Sequence, residues 1–269
     1  MTNSLLCRTV SSRRGSMRLR LALPLVFFFC VASFASQDSL SVSVQGVKSA
    51  VGVWWPVPSK AKTPAKVPAK AKAKQAVQFA KSDVVVWFHG GMTSGNCEKG
   101  LVAGDDFSKL FPNVIVVSAS ACRDKHWATG VMVAAVDAAI DSVAARRGSP
   151  VDTISLVGVS DGALGVLVYS IQGKRRVKGR LLASSFGKLL GEARVLAGMS
   201  ASRMRFGRWR FLQGGNDRLF PVAEAVPWIE EFCREVRADC TLRFDPAGEH
   251  DWSYWREKHL DWIRESFRQ

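Results

Sequence analysis

Hydrophobic positions along this chain change rhythm twice. Between residues 39 and 55 they alternate, with Leu40, Val42 and Val44 followed by Val51, Val53, Trp54 and Trp55. A two-residue period predicts paired strands, and Gln45-Gly46 supplies the turn between them. The alternation then stops. Residues 56–81 are Lys, Ala and Pro in near repeat. From Asp83 onward, short apolar runs alternate with stretches of helical period. The apolar runs are Val84–Phe88, Val114–Val117 and Thr153–Val157; Leu181–Ser184, Arg208–Leu212 and Thr241–Phe244 also read as strands. An unbroken apolar run is what a strand buried on both faces needs. Helices are predicted over 98–110, 128–146, 161–172, 186–198, 222–236 and 252–267. Strands alternating with helices predict an α/β fold with a mostly parallel sheet covered on both sides. The N-terminal pair adds an antiparallel hairpin. No insertion is long enough for a large lid, and there is no solenoid repeat or coiled coil.

The N-terminal region reads differently. Arg18 and Arg20 precede an apolar run from Leu21 to Phe34, and Ser33-Phe34-Ala35 fits a small-x-small cleavage site. This predicts a secretory signal peptide over 1–35, cut after Ala35, with Met17 as an alternative start. The run falls short of the about 20 residues that span a bilayer. Residues 36–58 are then the N-terminal strands, 59–81 a flexible loop or linker, and 82–269 the α/β core. The linker cannot bury enough apolar area to offset its ordering entropy, and its lysines repel one another. A sharper alternative is tethering to an anionic envelope surface.

Charge sharpens this division. The chain of 269 residues has a net charge of +15. Residues 1–35 hold five Arg and no acid, and 36–81 hold eight Lys against Asp38. The remaining 25 basic and 22 acidic residues leave the core at only +3. Basicity therefore belongs to the N-terminal region, and no nucleic-acid partner is expected of the core. The run from Lys174 to Arg180 reads as a solvated turn between a helix and a strand.

The candidate chemistry centres on Gly158-Val159-Ser160-Asp161-Gly162, at a strand-to-helix junction. It matches G-x-S-x-G, in which glycines let strand and helix approach while the serine is thrust from a sharp turn. His89-Gly90-Gly91 follows the strand Val84–Phe88. Glycines there allow a backbone N–H, from Gly91 or Met92, to face a developing oxyanion, with the Asp161 N–H as second donor. His89 itself reads as a structural histidine bracing the loop. Asp217 lies in a Gly-rich turn after a late strand, placed to orient a histidine; Asp245 is its rival. Of the four histidines, at 89, 126, 250 and 259, only His250 follows the last strand on a loop. Ser160, Asp217 and His250 thus complete the chain order Ser…Asp…His.

With these parts placed, residues 83–269 resemble the α/β-hydrolase superfamily. Asp152 to Gly162 is similar to the D-x-x-x-(hydrophobic)-x-G-x-S-x-G run of secreted esterases and polyester depolymerases. His250-Asp251-Trp252-Ser253-Tyr254-Trp255 and the following helix resemble the esterase D group, which includes feruloyl and enterobactin esterases. The resemblance implies a three-layer sandwich. It implies a serine hydrolase acting on a small-molecule or polymer ester, or a thioester, with no metal or organic cofactor. A peptidase or acyltransferase with the same triad, or a non-catalytic envelope-binding protein, are the alternatives. Asp161 departs from the group, where methionine, glutamine or alanine is common. Its carboxyl is expected to point sideways into local hydrogen bonds. The short segment between Tyr169 and Arg208 implies a reduced cap.

Cys7 and Cys30 fall in the leader, leaving Cys97, Cys122, Cys233 and Cys240. An even number in an exported, periplasmic or secreted, chain predicts disulfides. Cys97 and Cys122 follow strands that are neighbours in a hydrolase sheet, which implies the pairing 97–122. Cys233 ends a helix and Cys240 starts the next strand, so they are expected to pair. Trp127 and Trp252 are expected near the catalytic edge as substrate-pocket residues. A monomer is expected.

Overall fold

The computed structural model describes residues 36–56, 79–91, 95–123 and 126–267. The proposed leader, most of the Lys/Ala/Pro segment and Met92 lie outside the described residues.

The alternating N-terminal segment forms β1 (Ser36–Val44) and β2 (Val47–Trp55), paired antiparallel. Gln45 and Gly46 both have positive φ, 51° and 78°. That is the backbone of a tight two-residue hairpin whose twist matches its strands. The predicted strands of the core become β3 (Val84–Phe88), β4 (Ile115–Ala119), β5 (Thr153–Val159), β6 (Arg176–Ala183), β7 (Arg208–Gly214) and β8 (Asp239–Asp245). The described residues form one sheet in the order β1-β2-β4-β3-β5-β6-β7-β8. Only the β1–β2 and β2–β4 pairs are antiparallel.

Helices cover both faces. On one lie α3 (Gly130–Arg147), α4 (Asp161–Gln172) and α7 (Val222–Val236); their buried residues pack with Val84, Val86 and Phe88 of β3. In α7 the buried Ala225, Trp228, Ile229, Phe232 and Val236 recur at helical spacing, so one stripe faces the sheet. On the other face, α2 (Asp105–Leu110), α8 (Trp252–Lys258) and α9 (Leu260–Phe267) supply Phe107, Trp252, Trp255 and Ile263 to a cluster with Val85 and Trp87. Alternate residues of β3 thus serve both cores, the reason its run is apolar throughout. Short helices α1 (Gly100–Ala103), α5 (Ala193–Gly198) and α6 (Ala201–Arg205) complete the set named here.

Three expectations are corrected. The basic run is not a turn: Arg176 to Arg180 open β6. Arg180 is only 2 % exposed and donates to Ser170 Oγ (2.8 Å), the Phe206 carbonyl (2.8 Å) and the Arg203 carbonyl (3.2 Å). Its guanidinium also lies 4.2 Å from the Trp209 ring centroid. These partners satisfy a cation that burial would otherwise penalise. The terminal helix is broken at His259 (φ −127°), whose Nε2 lies 2.6 Å from Asp245 Oδ2. The stretch 186–198 is a 3-10 turn at Gly187–Leu189 followed by α5, not one helix.

Candidate active site

β3 and β5 are adjacent, but β3 connects outward to β4 on one side and β5 to β6 on the other. The sheet's order of connection therefore reverses between them, and ligands of such sheets bind at the carboxyl ends beside that point. Both candidate loops leave there: His89-Gly90-Gly91 after β3, and Ser160 after β5.

Ser160 has φ 58° and ψ −123°, a conformation that costs a non-glycine residue about 1–3 kcal/mol. Close packing holds it. A Cβ on Gly162 would sit 2.0 Å from the Phe88 carbonyl oxygen, and one on Gly158 would sit 2.2 Å from the Gly162 carbonyl oxygen. Only glycine permits this approach of β5, α4 and β3, which the strained turn requires. The Ser160 N–H is spent on the Ala183 carbonyl of β6 at 3.0 Å.

Asp217 and His250 come from the turns after β7 and β8. His250 Nδ1 lies 2.9 Å from both Asp217 oxygens. Asp217 Oδ1 also accepts from the N–H groups of Leu219 (3.0 Å) and Phe220 (2.9 Å), and Gln213 Nε2 donates to Oδ2 at 3.3 Å. Burial pushes the Asp217 carboxyl up, but the His250 contact and the two amides outweigh it and hold it below the usual carboxylate range. An ionised carboxylate opposite Nδ1 places the imidazole proton there and leaves Nε2 basic. Nε2 has no hydrogen-bond partner among the described residues. The rival carboxylate, Asp245, is engaged elsewhere, by His259 and by Tyr254 Oη at 2.8 Å.

Ser160 and His250 line one open cleft of about 490 Å³, with walls that include Trp87, Val159, Leu219 and Trp252. Trp252 packs edge-on against Trp87, ring centroids 4.9 Å apart. Gly91 lines the same cleft and has φ 97°, backbone that favours glycine. Asp161 opens α4, so its N–H has no partner within the helix.

Two residues lie elsewhere than expected. Trp127 is a core residue, 2 % exposed, edge-on to Phe88 and donating to the His89 carbonyl at 2.9 Å. Its ring fills space beneath the loop instead of facing the cleft. The Asp161 side chain is buried, and its Oδ1 lacks the local hydrogen bond expected of it among the described residues. Burial raises its pKa, against the opposing pull of His126 and Lys99.

Both expected disulfides are present. Cys97–Cys122 joins the loops after β3 and β4, and Cys233–Cys240 joins the end of α7 to β8.

His89 braces its loop. Its Nε2 accepts from the Ala121 N–H at 3.0 Å, so Nδ1 carries the proton toward the Gly90 carbonyl, also 3.0 Å away. Burial, helped by the Lys99 charge and opposed by the Gly90 bond, lowers its pKa from 6.5 to about 4. The unfolded chain therefore takes up this proton first. Stability is expected to be complete above pH 6.5 and to fall by roughly 3 kcal/mol as pH drops toward about 4. Urea midpoints across this range should fall more steeply for the wild type than for His89→Gln. Equal slopes would refute this role.

No family model and no curated protein sequence matches the chain. Solved structures do. One is a cold-adapted esterase from an Arctic intertidal metagenomic library, 17 % identical, with a TM-score of 0.59, over 86 % of this chain and 94 % of that one. The chain has the α/β-hydrolase fold. A second hydrolase-fold match is Pyrococcus horikoshii acylaminoacyl peptidase, 11 % identical with a TM-score of 0.62; it covers 88 % of this chain but only 42 % of that one. A third is vibralactone cyclase, 14 % identical with a TM-score of 0.57, over 87 % of this chain and 78 % of that one. In this α/β-hydrolase fold, three contributors to the site had escaped the sequence reading: Trp87, Leu219 and Lys99. Trp87 sits in an unbroken apolar strand and Leu219 beside the acid, positions that carry no distinct signal. Lys99 donates to the Gly90 carbonyl at 2.6 Å.

Proposed function

We propose that this protein is an exported serine hydrolase that cleaves a carboxylic ester or thioester. The observation that carries the reading is the chain of contacts from Asp217 through His250 to the cleft it shares with the strained Ser160. Ser160 Oγ attacks the acyl carbon as His250 Nε2 accepts its proton. Asp217 stabilises the imidazolium, and the N–H groups of Gly91 and Asp161 bind the oxyanion. His250 then protonates the departing alcohol or thiol. A water, deprotonated by the same nitrogen, attacks the acyl carbon; the acid departs as His250 returns that proton to Ser160 Oγ. The apolar walls favour an uncharged acyl group, and the cleft's openness suits an ester held on a bulky or polymeric partner.

Support for export comes from the leader pattern at 1–35 and from the two disulfides. Among the described residues, no helix is long and apolar enough to cross a membrane.

A fluorophosphonate probe tests the reaction class. Stoichiometric labelling is expected, with the adduct mapped to the peptide containing Ser160. A folded protein that takes up no label would sink the enzyme reading.

A further inference from the structure

We propose that Lys99 is a positioning residue for the oxyanion hole, holding and polarising the peptide that joins Gly90 to Gly91. The inference rests on the serine hydrolase reading and deepens it. The Gly90 carbonyl oxygen accepts two hydrogen bonds, from Lys99 Nζ at 2.6 Å and from His89 Nδ1 at 3.0 Å. Two donors occupy both lone pairs of that oxygen and fix the plane of the peptide. Across a trans peptide the N–H points opposite to the C=O. Anchoring the Gly90 oxygen on the Lys99 side therefore turns the Gly91 N–H the other way. Gly91 lines the cleft beside Ser160. A Cβ on Gly90 would stand 3.2 Å from Ser160 Cβ, so this peptide lies against the nucleophile itself.

Charge adds to geometry. A hydrogen bond from an ammonium is stronger than one from a neutral donor. A cation on the carbonyl oxygen withdraws electron density through the amide and makes the N–H on its far side a better donor. The effect grows with the negative charge that the N–H must bind, so it favours the transition state over the ground state. Lys99 forms no salt bridge among the described residues. The half-buried side chain is instead directed to a backbone carbonyl.

The same oxygen is where two loops meet. Cys97 lies two residues before Lys99 and is bonded to Cys122. Cys122 follows Ala121, whose N–H fixes the His89 tautomer that donates to Gly90. One crosslink therefore brackets both arms that grip the peptide.

The test compares wild type, Lys99→Met and Lys99→Arg in p-nitrophenyl acetate turnover. The second readout is inhibition by a trifluoromethyl ketone, whose hemiketal oxyanion copies the tetrahedral intermediate. Loss of an oxyanion donor costs about 10²–10³ in kcat, and weakening one should cost less, so K99M is expected to lose about tenfold in kcat. KM and melting temperature should stay near wild type, the ketone's Ki should rise by the same factor as kcat falls, and K99R should restore most of the rate. Unchanged kcat and Ki in K99M would overturn the inference, as would KM and melting temperature moving with kcat, or K99R as slow as K99M. A wild type that neither turns over the ester nor takes the fluorophosphonate would fail the hydrolase reading itself, a separate outcome.

Discussion

Ser160→Ala is expected to lower p-nitrophenyl acetate turnover by about 10⁴-fold or more while leaving a folded, cooperative protein. The size follows from what the hydroxyl does. In the proposed mechanism no acyl-enzyme can form without it, and the remaining rate would be what the proposed oxyanion donors and binding give to attack by water. The small structural cost follows from the contacts. The turn is anchored by backbone, through the Ser160 N–H to the Ala183 carbonyl and the Ala163 N–H to the Ser160 carbonyl at 2.9 Å. Alanine keeps both. The strained φ persists in the variant, since its Cβ meets the same backbone as that of serine. Thermal melts and single-turnover kinetics check the two halves together. Full turnover by the alanine variant would remove Ser160 from the nucleophile's role, whatever the fold.

The parts of the fold that could be read in advance are those where burial dictates residue type. Val84–Phe88 is apolar throughout because helices cover both sides of β3, and its neighbours follow the same logic. The sequence order of Ser160, Asp217 and His250 was also legible, because each stands on a turn after a strand. What escaped was decided by partners distant in sequence. Arg180 looked like part of a solvated basic run; a buried site with Ser170, two carbonyls and the Trp209 face draws it into β6. The break at His259 owes to Asp245, which the helical period of 252–267 cannot register. Trp127 was placed on the right loop but on the wrong side of it: its N–H finds the His89 carbonyl below, and its ring takes the apolar space beside Phe88. Lys99 is one more lysine in a polar loop until the fold brings Gly90 to it.

Asp217→Asn is expected to cost about 10⁴-fold in kcat, nearly as much as loss of the nucleophile, although it changes one atom for another of similar size. The reason lies in which oxygen the backbone holds. The Leu219 and Phe220 N–H groups both donate to Oδ1. An asparagine must keep its oxygen there, because an NH₂ group would face two donors. Its NH₂ is then forced into the Oδ2 position, 2.9 Å from His250 Nδ1. A donor at that place opposes a proton on Nδ1 and favours moving it to Nε2, although the oxygen at the Oδ1 position, also 2.9 Å from Nδ1, competes to keep it. Nε2 is then a donor and, in the proposed mechanism, cannot take the Ser160 proton. Gln213 can relieve the new donor–donor contact by rotating its amide, since its Oε1 has no partner among the described residues. That rotation gives up the bond from Nε2 to the Phe220 carbonyl, now 3.2 Å. The fold should therefore tolerate the variant while the chemistry does not. Fluorophosphonate labelling should slow in step with ester turnover, because in the proposed mechanism both need Ser160 deprotonated by His250. A variant that keeps more than about a tenth of wild-type kcat would show that Asp217 does not set the tautomer, since wrong-tautomer enzymes lose far more. Asp245→Asn is the matched control. Its partners are His259, Tyr254 and the Ala247 N–H, so it should leave kcat near wild type.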